Sequence, residues 1–283
     1  MLIDAIRAEG FRLSRNRMLI FWSVIFVPVL YVIGGVIYHV VNKANGDRLA
    51  AAADIPATLG GASIDLGPAL VEAANMSANG AILTFTLIAA ATLYAGDYRW
   101  ETWRLITARN TRFNLILGKV AAFVGLALAA MLAFLVAHLI YTLTQAAIFQ
   151  RPLSFSFGAA QAGHFGALGG LGLVRIVQYS LIALLTALLT RSLLAALFVP
   201  IVLGVAQGFF GQAMVLVGWE PSMWRAQLLL PGLAFDTLKA AAIGDGPLPD
   251  SMTLKSAISL LLWTALPLAG AMAWFKRQDL SKE

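Results

Sequence analysis

Charged residues are absent from five long stretches of this chain: Met18 to Asn42, Ala73 to Gly96, Val120 to Gln150, Ser192 to Trp219 and Ser256 to Phe275. Each is long enough to cross a hydrocarbon core of about 30 Å as a helix rising about 1.5 Å per residue. A sixth stretch, Leu171 to Thr190 (LGLVRIVQYSLIALLTALLT), is apolar except for Arg175 and Gln178 near one end. An arginine at the centre of a span costs about 2.5–3.5 kcal/mol on insertion scales, and less near the interface, where it snorkels. The pattern therefore predicts an all-α integral membrane protein with six transmembrane helices. They fall at about 18–41, 76–96, 119–144, 171–190, 193–218 and 256–275 of a single transmembrane domain, 1–283.

The stretch from Pro152 to Val174 is also uncharged, but Gly158, Gly163, Gly166, Gly169, Gly170 and Gly172 make it a poor continuous helix. It fits a re-entrant or interfacial segment, tolerable at membrane depth only where protein buries it. A seventh span there would move every later loop to the other side, so the distribution of Lys and Arg decides. With six spans, one side carries Arg7, Arg12, Arg15, Arg17, Arg99, Arg104, Arg109, Arg112, Lys119, Arg191, Lys276, Arg277 and Lys282. The other has only Lys43, Arg48, Arg151, Arg225, Lys239 and Lys255, in longer loops. This bias predicts that both termini are cytoplasmic. The first apolar run exceeds the 7–15 residues typical of a signal-peptide core and has no A-x-A-like site directly after it, so it is expected to be a retained span.

Composition agrees. The 283 residues are 60% hydrophobic and 12% charged, with mean hydropathy +0.81 and net charge +6. Soluble domains run about 45–50% apolar and about 25% charged, so an ordinary soluble enzyme is excluded, as is a disordered chain. Without cysteine there are no disulfides, thiolate metal sites or cysteine nucleophiles.

Residues 1–17 are too charged to cross. Leu2, Ile3, Ile6 and Leu13 share roughly one helical face, which suits an amphipathic interfacial helix whose arginines meet anionic headgroups. The outer loops, 42–75 and 219–255, differ in character. The first is Ala-rich, mildly acidic and interrupted by Pro56, Gly60, Gly61, Gly67 and Pro68. In the second, LAFDTLKAAAIG after Pro231-Gly232 predicts a short helix ending at Gly244.

No catalytic set is present. His39, His138 and His164 are far apart and lack a metal-ligand pattern, and His138 reads as a packed residue of the third span. The Gly-x-Ser-x-Gly elbow, the phosphate loop and the dinucleotide fingerprint are all missing. Gly118-Lys119 heads an apolar helix and cannot cradle phosphates. Few ionisable residues lie within the spans, which counts against an ion-coupled carrier.

The loop 97–112 is the most informative segment. It packs Tyr98, Trp100 and Trp103 among Arg99, Arg104, Arg109 and Arg112, with Asp97 and Glu101. Trp, Tyr and Arg are the residues that most often carry interface energy, although an aromatic belt plus positive-inside charge accounts for part of the pattern. Residues 98–108 are long enough for about three helical turns, with Trp100 and Arg104 on one face at i, i+4.

From the basic N-terminal segment Ala8-Glu9 through Arg17, and from Glu101, Thr102, Leu105, Arg112 and Leu117-Gly118-Lys119, the chain resembles the ABC-2-type permeases, the membrane subunits of ABC exporters. It departs from the family's pattern in lacking a glycine before Thr102 and a proline before Arg112. The resemblance implies a six-span permease without its own ATPase, in a bacterial inner membrane. It makes the 97–112 loop (Asp97, Arg99, Trp100, Glu101, Trp103, Arg104, Arg109, Arg112) a coupling element that docks on a separate ATPase subunit. Two ATPase copies would hold ATP and Mg, and two permease subunits, identical or paralogous, would enclose the path.

Gly204-x-x-x-Gly208 permits close helix approach in the fifth span, either at that subunit interface or within one chain. Arg175, Gln178, Gln207 and Gln212 are the candidate polar groups of a translocation path, unless Arg175 merely snorkels. So sparse a lining suits a hydrophobic or amphipathic cargo. Membrane lipid is the other expected partner, and nucleic acid is not one. The competing reading is a membrane scaffold that recruits a cytoplasmic protein without transport; an intramembrane enzyme is disfavoured by the lack of paired acidic or His residues at depth.

Overall fold

Among the described residues, six helices long and apolar enough to cross a membrane form the body of this multi-pass protein. The computed structural model describes residues 1–46, 62–99, 102–108, 110–244 and 249–279. A charged helix, α1 (Leu2–Arg15), precedes the first span, α2 (Arg17–Ala44). Pro28 has no N–H to offer the carbonyl four residues back, and just upstream the chain widens into a π turn over Phe21–Ile25. Next come β1 (Ile64–Asp65), α3 (Leu66–Met76), the second span α4 (Gly80–Arg99), a short α5 (Trp103–Thr107) and the third span α6 (Arg112–Phe149). The remainder is β2 (Leu153–Ser154), α7 (Ala159–Thr190), α8 (Leu193–Ala213), α9 (Trp224–Leu229), α10 (Pro231–Ile243) and α11 (Asp250–Arg277).

The core lies around α4 and α7, whose most apolar stretches are 61% and 67% buried, against 17% for α2 and 11% for α8. Small residues explain the centrality of α4: Ala89, Ala90, Ala91 and Ala95 let neighbouring backbones approach, as membrane helices require. Phe123, Phe134, Leu181, Leu184 and Leu188 from α6 and α7 fill the space between them.

The glycine-rich stretch does not break the helix. α7 runs without interruption from Ala159 to Thr190, so the fourth span is longer than 171–190 and no separate re-entrant segment precedes it. Away from water an unpaired backbone group is more costly than a glycine's extra entropy, so the helical ladder holds. This part of α7 lies beside α3.

The end of the bundle that carries Arg15, Arg112 and Arg277 is the basic end. At the far end, β1 and β2 pair in parallel, Ile64 with Leu153 and Asp65 with Ser154. Asp65 caps α3 through the Gly67 N–H (2.9 Å) and accepts from the backbone N–H (2.9 Å) and hydroxyl of Ser156. These bonds hold its carboxyl below the usual range, the Ser156 hydroxyl contributing most.

α9 and α10 both pack against α11, and α10 also packs against α7. Trp263, about 18 Å along α11 from Ser251, donates its indole N–H to the Leu228 carbonyl at 2.7 Å. The helix expected after Pro231-Gly232 is α10, closed by Gly244 in the left-handed conformation (φ 71°).

Candidate functional site

Among the described residues, two assemblies place buried charged side chains in the apolar bundle, one at the basic end and one midway along α7. The first is a buried ion cluster. Lys119 and Asp97, both without solvent exposure, meet at 2.5 Å, and Lys119 also reaches Glu9 at 3.0 Å and the Leu93 carbonyl at 2.9 Å. Arg12 closes the ring, 2.9 Å from Asp97 and 3.2 Å from Glu9. Two cations face two carboxylates, so the cluster is neutral, which makes burial tolerable. Burial opposes the charge on Arg12, but Asp97 and Glu9 outweigh it and hold the guanidinium above its ordinary pKa.

Local sequence builds this node. Asp97 closes the second uncharged run and Lys119 opens the third, so a short connection brings them to one depth on adjacent helices. Opposite charges at facing ends of consecutive spans were the available signal. Nothing in the sequence marks Glu9 beyond its being an acid in a basic helix. Gly118 lets α1 press onto α6, because a Cβ there would lie 2.8 Å from the Ala5 methyl. The face of α1 turned inward thus carries Ala5 and Glu9, while Ile3 and Phe11 are exposed; the apolar stripe divides, with Leu2 and Ile3 exposed and Leu13 packed against the core.

The loop expected to present aromatic and basic groups is organised differently from a three-turn exposed helix. α4 continues to Arg99, and among the described residues of the loop after it Trp103–Thr107 is helical. Asp97 accepts from the Thr102 hydroxyl at 2.5 Å, and the Asp97 carbonyl accepts the Thr102 N–H at 3.0 Å. Trp103 is fully buried, its ring centroid 4.5 Å from Phe275 and 5.7 Å from Tyr98, with the Lys119 ammonium 5.2 Å from its ring. Asp97 and Trp103 therefore brace the loop from inside and offer no surface to a partner. Arg112 is half-buried and donates to the carbonyls of Phe275 (2.6 Å), Lys276 (3.1 Å) and Gln278 (2.7 Å), capping the end of α11. Arg99 is exposed. Trp100, Glu101, Arg109 and the side chain of Arg104 lie outside the described residues, as does the Ala-rich stretch 47–61.

The second assembly centres on Arg175, which is 91% buried at mid-length in α7 and does not snorkel outward. It donates to Gln178 Oε1 (3.3 Å) and the Tyr179 hydroxyl (3.1 Å). Its guanidinium lies over the rings of Tyr179 (4.7 Å) and Phe235 (5.3 Å). Gln178 Nε2 and Gln207 Oε1 are buried without hydrogen-bond partners among the described residues. Gln212 is exposed in the last turn of α8 and stands apart from this nest. Gly204 is used within the chain: a Cβ there would lie 2.7 Å from the Tyr179 hydroxyl, whereas Gly208 faces open space.

His138 packs between α2 and α6, its Nδ1 3.0 Å from the Tyr31 hydroxyl. Among the described residues no group of three or more His, Asp and Glu is placed to hold a metal. No family model, curated protein or solved structure matches this chain.

Proposed function

We propose that this protein is the membrane subunit of an ATP-binding cassette transporter of the ABC-2 type, moving a hydrophobic or amphipathic substrate with energy from a separate ATPase subunit. The observation that carries the reading is the braced connection between α4 and α6. A short helix follows a buried Asp97–Lys119 pair that also grips α1 through Glu9 and Arg12, so a push on this connection reaches three helices as a unit. The chain has no phosphate loop of its own. On this reading the basic end faces the cytoplasm of a bacterial cell, in keeping with the excess of Arg and Lys there. ATP-driven closure of two ATPase subunits presses the loops together and rocks the bundles of two permease subunits. The coupling surface then consists of exposed groups such as Arg99, together with Trp100, Glu101, Arg104 and Arg109. Asp97, Trp103 and Arg112 act as its internal braces. The least enclosed spans, α2 and α8, are the faces available to a second permease.

The test is gentle detergent extraction followed by purification on a tag at the C-terminus. A stoichiometric ATPase carrying a phosphate loop is the expected companion, and Glu101→Arg should uncouple its hydrolysis from transport while the protein still inserts. A reproducible partner with no ATPase activity favours a recruiting scaffold and ends the transporter reading.

A further inference from the structure

The nest around Arg175 combines features that do not balance one another electrostatically. α10 begins beside it: a Cβ on Gly232 would lie 3.3 Å from the Arg175 guanidinium and 3.9 Å from Gln207 Oε1. This start has no side-chain cap, and Pro231 occupies its first turn, so the N–H groups of Gly232 and Leu233 remain for another acceptor. The N-terminus of a helix carries partial positive charge, which adds to the guanidinium rather than offsetting it. Among the described residues no carboxylate forms an ion pair with Arg175; Asp236, one turn along α10, favours its charge through space only. Two neutral groups, Gln178 and Tyr179, take its hydrogen bonds.

Gln178 is fully buried, yet its Nε2 donor is unused. Gln207 adds a second unsatisfied amide, able to present oxygen or NH2 by turning about its last torsion. A fixed cation, a helix start and an unused amide donor converging at membrane depth suit an oxyanion. Gln207 and Gly232 are only half-buried and Asp236 is exposed, so the nest opens between α8 and α10. The surroundings are apolar: Leu203 and Phe210, four residues before and three after Gln207, share its face of α8, and Phe210 is exposed.

We propose that Arg175, Gln178, Gln207 and the start of α10 bind the anionic head, phosphate or carboxylate, of an amphipathic molecule whose tail lies along the apolar surface of α8. Calling that molecule cargo rests on the permease reading; the binding itself does not.

The experiment uses the full chain purified in an uncharged maltoside detergent, with dodecyl phosphate and inorganic phosphate as separate probes and thermal unfolding as readout. Dodecyl phosphate is expected to raise the unfolding temperature saturably, with at least tenfold weaker apparent affinity in Arg175→Gln. Gly232→Ala, which places a methyl against the guanidinium, is expected to weaken it at least threefold and serves if Arg175→Gln does not fold. A saturable response to dodecyl phosphate alone identifies an amphiphile's headgroup. An equal response to inorganic phosphate identifies a free anion and overturns the assignment of a tail. No saturable response to either probe, or equal affinity in wild type and variants, overturns the site. Because no ATPase is present, absence of an ATPase partner in the extraction experiment and absence of binding here are separate results.

Discussion

Lys119 and Asp97 form an ion pair at 2.5 Å with neither side chain exposed. Lys119→Met removes one of two cations and leaves Asp97 and Glu9 to share Arg12 alone, with one negative charge uncompensated. The expected loss is about 3–5 kcal/mol, the range for breaking one side of a buried pair. Adding Asp97→Asn to Lys119→Met should restore a good part of it, because the desolvated charge goes with its partner. Denaturation in detergent, followed by tryptophan fluorescence, measures both; a double variant no better than the single one contradicts the pairing.

Trp103→Ala is expected to lower stability by about 3–5 kcal/mol, as removal of a fully enclosed indole does. A partner-facing tryptophan would instead leave the unfolding temperature of the isolated chain unchanged. Comparing that temperature for the two proteins distinguishes the roles.

Gly204 and Gly208 of α8 should separate cleanly. Gly204→Val forces side-chain atoms against Tyr179 and should cost about 1–3 kcal/mol in the single chain. Gly208→Val meets open space and should stay within about 0.5 kcal/mol of wild type. If Gly208 lies at a contact between two permeases, its variant shows weakened self-association on sedimentation at unchanged stability.

Asp65 gives the far end an acid-sensitive clip. Its folded pKa is lowered from 3.8, so its contribution is complete above that value and disappears as pH falls through the lower folded one. Amide hydrogen exchange at Gly67 and Ser156 should be slow at pH 5 and accelerate below pH 3.8, beyond the intrinsic trend; Asp65→Asn should flatten that excess.

Apolar run length made the six spans legible, since any helix in lipid must satisfy its own backbone. Pro231-Gly232 and Gly244 marked α10 through ordinary start and stop chemistry. Propensity in water argues against a helix through the glycines before Leu171, but the need to satisfy the backbone away from water outweighs it. Interface frequency marks Trp103 as a contact residue, while packing encloses it. Arg175 was visible as the lone cation of an apolar run, but its meeting with the start of α10 depends on how α10 packs against α7, which no local pattern encodes. Glu9 stayed hidden because Lys119, the buried partner that draws it inward, comes from a distant helix.

The Arg112 side chain holds the last carbonyls of α11 while its backbone starts α6. Two rods far apart in the chain are thereby riveted at one end, so the sixth cannot slide lengthwise past the third without shearing that rivet. Relative movement between them is confined to swivelling about this point, and the widest excursions fall at the opposite tips.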